Sequence, residues 1–476
     1  MRPVFLTLRG AACTARRIRP MLREMSALRL FAFTSIALLS SVLELSAAEY
    51  YVAVNGSDAN AGTLAAPFAS VQRAQKAAAP GDTVWVRGGT YAMTEAQIAQ
   101  NKRIWAYVTE LDKSGSAGKP INYWAYRDEV PVFDFTNVKP AGCRVTAFHV
   151  TGSWLNFKGL TVTGVQVTIL THTQSICFDN QGSNNVYERL SMHDGQAIGF
   201  WLGRGSNNLV LNCDAYRNHD YTSENKRGGN VDGFGFHAPQ GSTGNVFRGC
   251  RAWFNSDDGF DFISAGASVT VENCWAFYNG FGPEFSNLGD GNGFKSGGYG
   301  ISPDARIPDP VPRHVIRGCV AVRNKASGFY ANHHYGGNDW LNNTAFRNST
   351  NFNMLCRTAA GDVPGFGHKM KNNLGYKGRT EVSNLDAAAC DVSGNYFTLP
   401  VKVEDRDFAG LDEAELTKPR QPNGDLPEIA FLHLAPGSGL IDKGVDVGLP
   451  FTGKAPDLGA FEFGALKAGA GGATKK

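Results

Sequence analysis

A chain of 476 residues with 56 glycines, 19% charged residues and recurring short asparagine-bearing motifs reads as many short strands and tight turns, and argues against long helices. Its formal net charge of +3 does not mark a nucleic-acid surface: the first 48 residues hold seven arginines and two glutamates, and without them the remainder is near −2 with no basic stripe.

The N-terminal arginines (Arg2, Arg9, Arg16, Arg17, Arg19, Arg23 and Arg29), the apolar run from Leu30 to Val42 and "LSAA" at 45–48 read as a secretory signal peptide, residues 1–48. A membrane anchor would need about 20 apolar residues, more than this run supplies. Met25 is an equally good start, because "MSALRLFAFTSIALL" is a complete signal by itself. The mature chain is thus expected outside the cytoplasm, extracellular or periplasmic, with no membrane attachment and as a monomer. Of nine cysteines, Cys13 goes with the leader, and eight remain in a chain bound for an oxidising compartment.

Next comes "FASVQRAQKAAAPGDTVWVRGGTY" at 68–91, a short amphipathic helix stopped at Pro80-Gly81 and followed by a strand. Such a helix would cap the first coil of a repeat array. The array itself shows in "NCDAYRN" at 212, "GCRAWFN" at 249, "NCWAFYN" at 273, "GCVAVRN" at 318 and "NNTAFRN" at 342, with looser copies at 159, 189 and 372. Aligned on their common frame, these place Leu160, Leu190, Cys213, Cys250, Cys274, Cys319, Asn343 and Asn373 in one column, at shortest intervals of 23 or 24 residues. Units of that length with β-type alternation fit the coils of a parallel β-solenoid spanning 49–400, and the leucine-rich frame is absent. Thiols in the column are expected to be free and buried. Cys143 with Cys177, and Cys356 with Cys390, lie outside it and are the better disulfide candidates. Residues 401–464 form an extension packing on or closing the solenoid, and 465–476 a disordered Gly/Ala/Lys tail.

A second column recurs as "IGFWL" at 198, "DGFGF" at 232, "DGFDF" at 258, "NGFKS" at 292 and "SGFYA" at 327. Alternate residues of a strand face opposite sides. If Phe200, Phe234, Phe260, Phe294 and Phe329 stack inwards, then Trp201, Gly235, Asp261, Lys295 and Tyr330 point outwards. Asp261 and Lys295 become neighbours about 4.8 Å apart, and Asp232 and Asp258 stack likewise with Asp257 beside them. Two carboxylates about 5 Å apart repel by roughly 3 kcal/mol at an effective dielectric near 20, so one must hold a proton or a cation must sit among them. Hard oxygen ligands without histidine or thiolate suit Ca²⁺. The competing reading, that "NSDDG" is an ordinary turn, leaves the matching Asp232 and Lys295 unexplained. Lys295 can serve as a general base only as a neutral amine; a bound cation would lower its pKa, and bare aspartates would raise it.

The pieces "YYVAVNGSDANAGTLAAPFASVQRAQKAAAPGDTVWVRGGTY" at 50, "NVDGFGFH" at 230, "NSDDGFDF" at 255, "GDGNGFKSGG" at 289 and "APDLGAFEFG" at 455 resemble polysaccharide lyase family 9. These are calcium-dependent pectate lyases and relatives. The resemblance implies an all-β, right-handed parallel β-helix, with Asp232, Asp257, Asp258 and Asp261 holding Ca²⁺ and Lys295 as the base. It also implies an acidic polysaccharide, pectate above all, cut by β-elimination. "FKSGG" in place of the commoner "FKLGG", and "NHHYGG" at 332, depart from the pattern and bear on substrate contacts. Around the groove, Asp290 reads as a turn residue. Arg227, Arg323 and His333 are candidate carboxylate binders or proton donors, and Tyr330 and Trp201 candidate sugar platforms. The alternatives are a β-helical hydrolase using paired aspartates and a non-catalytic carbohydrate-binding solenoid.

Overall fold

Alternation sets the architecture. In the computed structural model, which describes residues 47–300 and 306–464, Phe200, Phe234, Phe260, Phe294, Phe329 and Phe352 hold equivalent places on consecutive parallel strands and are fully buried. Successive rings stack with centroids 4.8–5.1 Å apart from Phe234 to Phe352, the spacing of the strands themselves. The chain winds through three long sheets of twelve, ten and eleven strands, and each coil adds a strand to each sheet. The pairing is parallel, except for Gln100–Lys102 against Trp105–Leu111 and the small hairpin of Cys356–Thr358 with Gly361–Val363. This is the expected parallel β-helix, its core filled by inward residues of all three sheets. The signal peptide expected over 1–48, but for its last two residues, and the tail expected over 465–476 lie outside the described residues. Among the described residues, no helix is long and apolar enough to cross a membrane.

The expected helix is α1, Val71–Ala77, capped by Ser70, whose Oγ accepts the Arg73 amide at 3.1 Å. Its buried face carries Val71, Ala74 and Gln75. Gln72 and Gln75 trade hydrogen bonds with the main chain at Glu110, on the first long strand of the eleven-stranded sheet. The helix thereby satisfies an edge that would otherwise stay open.

The predicted Leu/Cys/Asn column is buried throughout, and its polar members join coil to coil: the Leu190 amide donates to Cys213 Sγ, Cys250 to Cys274 Sγ, and Cys319 to Asn343 Oδ1. All eight cysteines among the described residues are free, so the two disulfides expected outside the column are absent. Register explains the first: Cys177 stands opposite Ala147, four residues along the strand from Cys143 and so about 13 Å away, beyond the roughly 7 Å a disulfide spans. Cys356 instead meets His368 Nε2 at 3.4 Å, while Cys390 donates to the Gly365 carbonyl at 3.3 Å.

A device missed in the sequence runs along one bend. Asn218, Asn255, Asn279, Asn324, Asn348 and Asn351 form a ladder in which each Nδ2 donates to the next Oδ1 at 3.0–3.1 Å. These side chains are at most 2% exposed, and they also serve main-chain groups that the bend leaves without partners. Asn279→Leu should therefore lower stability markedly, at about 1–3 kcal/mol for each buried group stranded. An unchanged denaturation midpoint would show the ladder to be dispensable.

Part of the outer face of the ten-stranded sheet is apolar, with Trp253, Trp275, Phe277, Val320, Val322 and Phe346. Residues 401–464 lie on that face through Phe408, Leu416, Ile429, Phe431 and Leu434. Arg251 and Arg420 clamp Asp214 between the two parts, at 2.8 and 2.6 Å.

Candidate active site

Consecutive strands of the eleven-stranded sheet set out one outward row in strict register: Trp201, Gly235, Asp261, Lys295, Tyr330 and Asn353. Just ahead of these strands, at the bend, a second set of side chains makes a ladder of its own. The Asp258 amide donates to Asp232 Oδ1 at 3.1 Å, the Asn292 amide and Nδ2 to Asp258 Oδ1 at 2.6 and 2.9 Å, and the Ser327 amide to Asn292 Oδ1 at 3.1 Å. Asp232 and Asp258 thus stand where a β-helix bend can use asparagine. One carboxylate oxygen of each does the structural task, and the second is left over.

The leftover charge converges. Ligand oxygens of Asp232, Asp258 and Asp261 lie within 4.8 Å of one another, and all three residues are at most 5% exposed. Lys295 Nζ sits 3.0 Å from Asp258 Oδ2 and 3.1 Å from Asp261 Oδ2. Asp258 Oδ2 is buried with no hydrogen bond of good geometry. Asp261 Oδ1 is held by the Ile263 amide at 2.7 Å. Asp257, expected in the same cluster, is not one of the converging three. Its Oδ1 accepts the Asp290 amide at 2.8 Å, although its charge still acts on Asp232 and Lys295.

The electrostatics follow from burial and crowding. Burial first, then the charges of Asp261, Asp257 and Asp258, hold the Asp232 carboxyl well above the usual carboxylate range. Burial and Asp258 do the same to Asp257. Asp258 is raised less, because Lys295 offsets its burial. For Lys295 burial works against the ammonium, yet Asp258, Asp261, Asp257 and Asp232 outweigh it and hold the amine well above the ordinary lysine range. With only these groups present the lysine is charged and cannot accept a proton, and the acids are short of positive charge. A hard divalent cation answers both conditions. The donor set, three converging carboxylates whose spare oxygens have only Lys295 as a counter-charge, fits Ca²⁺ by its chemistry.

Other residues singled out in the sequence scatter. Tyr330 adjoins Lys295, and burial raises its hydroxyl to about 12. Trp201 stacks on His237 at 3.8 Å, a partner that the sequence reading missed. Between Trp201 and Asp261, Gly235 has no room for a side chain: a Cβ there would lie 2.9 Å from the Trp201 ring and 3.1 Å from His237. His333 pairs with Asp362 at 2.8 Å, with its ring 6.0 Å from that of Tyr330. Asp290 is exposed and holds its turn through its amide, and Arg227 is exposed on a loop. Arg323 faces the C-terminal segment, over Phe285 and 3.6 Å from Glu413, rather than the acidic cluster.

The profile of the Pel9A-like, right-handed β-helix region matches residues 50–373. The chain belongs to this family. Pectate lyase L of Dickeya chrysanthemi is 37% identical to this Pel9A-like chain over 420 residues, 87% of the chain and 90% of the relative. Among solved structures, pectate lyase Pel9A superposes with a TM-score of 0.71 at 33% identity, covering 88% of this chain and 97% of its own. A rhamnogalacturonan lyase gives a TM-score of 0.79 at 45% identity, over 81% and 96%. The expected family and its right-handed parallel β-helix are thus found, and the Pel9A-like chain is a polysaccharide lyase.

Proposed function

We propose that this Pel9A-like lyase is a secreted, monomeric enzyme that cleaves galacturonate-containing polysaccharide, pectate above all, by β-elimination with Lys295 as the base. The observation that carries this reading is the contact of Lys295 Nζ with Asp258 and Asp261, at 3.0 and 3.1 Å, beside a third converging carboxylate. Asp232, Asp258 and Asp261, with Asp257 alongside, would hold Ca²⁺, which when bound neutralises the acids and the substrate carboxylate and stabilises the negative charge that develops as the C5 proton leaves. Lys295, freed from its aspartate partners, takes that proton at Nζ. The electron pair left on C5 forms the C4–C5 double bond and expels the glycosidic oxygen from C4, so an unsaturated sugar begins the new chain end. Tyr330, next to Lys295, and Trp201, two strands before Asp261 in the same row, would face the neighbouring sugars. A hydrolase built on the same aspartates would leave Lys295 without a task.

A second substrate reading, a backbone in which galacturonate alternates with rhamnose, is favoured by the 45% identity to the rhamnogalacturonan lyase. A panel of polygalacturonate, methyl-esterified pectin, rhamnogalacturonan and alginate, each with Ca²⁺ or with chelator, separates the readings. Ultraviolet absorbance of the unsaturated product should rise on a galacturonate polymer and only with the metal. New reducing ends without that chromophore would mean hydrolysis and sink the proposal.

A further inference from the structure

The strand that carries Lys295 ends at once in the segment Ser296-Gly297-Gly298, held by the Ser264 amide of the preceding coil on the Gly298 carbonyl at 2.7 Å and by several groups of the next coil. Both glycines have left-handed backbones, with φ of +107° and +85°. A Cβ on Gly297 would lie 2.3 Å from His334 Nδ1, and one on Gly298 2.0 Å from the Asn332 carbonyl oxygen, so neither position has room for a side chain. Asn332 Nδ2 donates to the Gly297 carbonyl at 2.6 Å, and the Gly298 amide donates to His334 Nδ1 at 3.2 Å. On its far side His334 Nε2 meets the Pro312 carbonyl at 2.8 Å. A carbonyl only accepts, so Nε2 carries the proton and Nδ1 is the acceptor. Burial lowers the His334 pKa to about 4, which keeps the ring neutral and that tautomer in place at neutral pH. The chain reaches this arrangement by setting two successive non-glycine residues, Asn332 and His333, at φ of 57° and 53°. Backbone of that kind persists where its surroundings over-determine it.

We infer that His334, assisted by Asn332, is a positioning residue for the catalytic lysine. Its Nδ1 fixes the Gly298 amide and its ring closes the space beside Gly297, so the turn after Lys295 has one arrangement and Nζ one direction. On its two-residue strand Lys295 is paired with Asp261 before it and Tyr330 after it, and its Nζ meets Asp258 and Asp261, so the course of the backbone just beyond it rests on the turn. Displacing a reacting group by about 1 Å can cost on the order of 10²-fold in rate, which makes such a support matter. The inference rests on Lys295 being the base.

The test compares His334→Leu, which removes the acceptor, with His334→Asn, whose Oδ1 can stand where Nδ1 does, as asparagine oxygens do along the bends of this fold. With polygalacturonate or rhamnogalacturonan and Ca²⁺, His334→Leu should lower kcat by about tenfold or more and leave KM within about twofold, and His334→Asn should recover most of the loss. Should His334→Leu fail to fold, His334→Phe also lacks the acceptor and is nearer in size. Asn332→Ala should show the same selective loss of kcat. Wild-type turnover in the Leu or Phe variant, or equal impairment of Asn and Leu variants at matched melting temperature, would overturn the inference. Lys295→Ala, run alongside, isolates the underlying reading: full activity there removes the base itself, whatever His334 does.

Discussion

Lys295→Ala is expected to lower turnover by about 10²–10⁴-fold in the presence of Ca²⁺, the range that a positioned general base supplies, while polymer binding persists. The amine is the cation that faces both Asp258 and Asp261, and nothing else named in the cluster can accept a proton from carbon once the acids are engaged. Lys295→Arg should be nearly as slow, because a guanidinium stays charged whatever lies beside it. The measurement is the rate of unsaturated product under saturating polymer, with binding followed separately by retention on a substrate gel. A non-catalytic solenoid would show no rate to lose, and a hydrolase would keep most of its reducing-end production. If Lys295→Ala retains more than about a tenth of wild-type elimination, the base lies elsewhere and the reading of the row is wrong. The variant also leaves Asp258 Oδ2 buried with neither donor nor counter-charge. Its metal-free form should therefore be the less stable one, and comparisons belong in calcium.

The row that contains Lys295 was legible because identical inward residues repeat. Five Gly-Phe elements fix where each strand begins, and a one-residue slip would turn every phenylalanine out of the core, so the outward neighbours Asp261, Lys295 and Tyr330 follow to the residue. Asp257 shows where that logic stops. It and Asp258 are adjacent at a bend, where the two-residue alternation of a strand no longer holds, and only the hydrogen bond from Asp290 tells that Asp257 turns aside. The asparagine ladder was hidden for a related reason. Asparagine is ordinary in turns, and partners such as Asn279 and Asn324 are 45 residues apart because a long loop intervenes, so no fixed spacing marks them. His334 sat in plain view in "NHHYGG", but its partner is a main-chain amide 36 residues earlier, which no motif announces. Of the two cysteine pairings, Cys143 with Cys177 failed because it ignored register along the strand, and Cys356 and Cys390 each bond elsewhere. The aromatic outer face of the ten-stranded sheet, in contrast, was written in "RAWFN" and "CWAFYN", whose Trp253, Trp275 and Phe277 need a cover that the C-terminal segment supplies.

Without metal, stability is expected to fall as pH rises from the ordinary aspartate value of about 3.9 into the neutral range, and Ca²⁺ should abolish most of that fall. The sign follows from the acids. In the fold, Asp232 and Asp257 hold their protons to higher pH than the ordinary aspartate value of about 3.9, so over this window the folded chain binds more protons than the unfolded one. Stability then declines with pH, because each proton lost leaves a buried charge among like charges. Lys295 does not reverse the trend. Its raised pKa adds stability that is complete below about 10.4 and lost only above it, outside the window. Ca²⁺ held by these acids would compete with those protons and favour the folded form, a stabilisation of about 2.7 kcal/mol at a hundredfold excess over Kd. The gain should grow as pH rises, because fewer protons then have to be displaced. Asp258→Asn separates cation binding from general charge repulsion. The amide oxygen can still accept from Asn292, so the bend ladder survives, whereas one converging charge is gone. This variant should melt higher than wild type in chelator at the alkaline end and gain little from Ca²⁺. Melting curves at three pH values with Ca²⁺ or chelator decide the matter, and a wild-type curve indifferent to the metal throughout would mean that Asp232, Asp258 and Asp261 hold no cation.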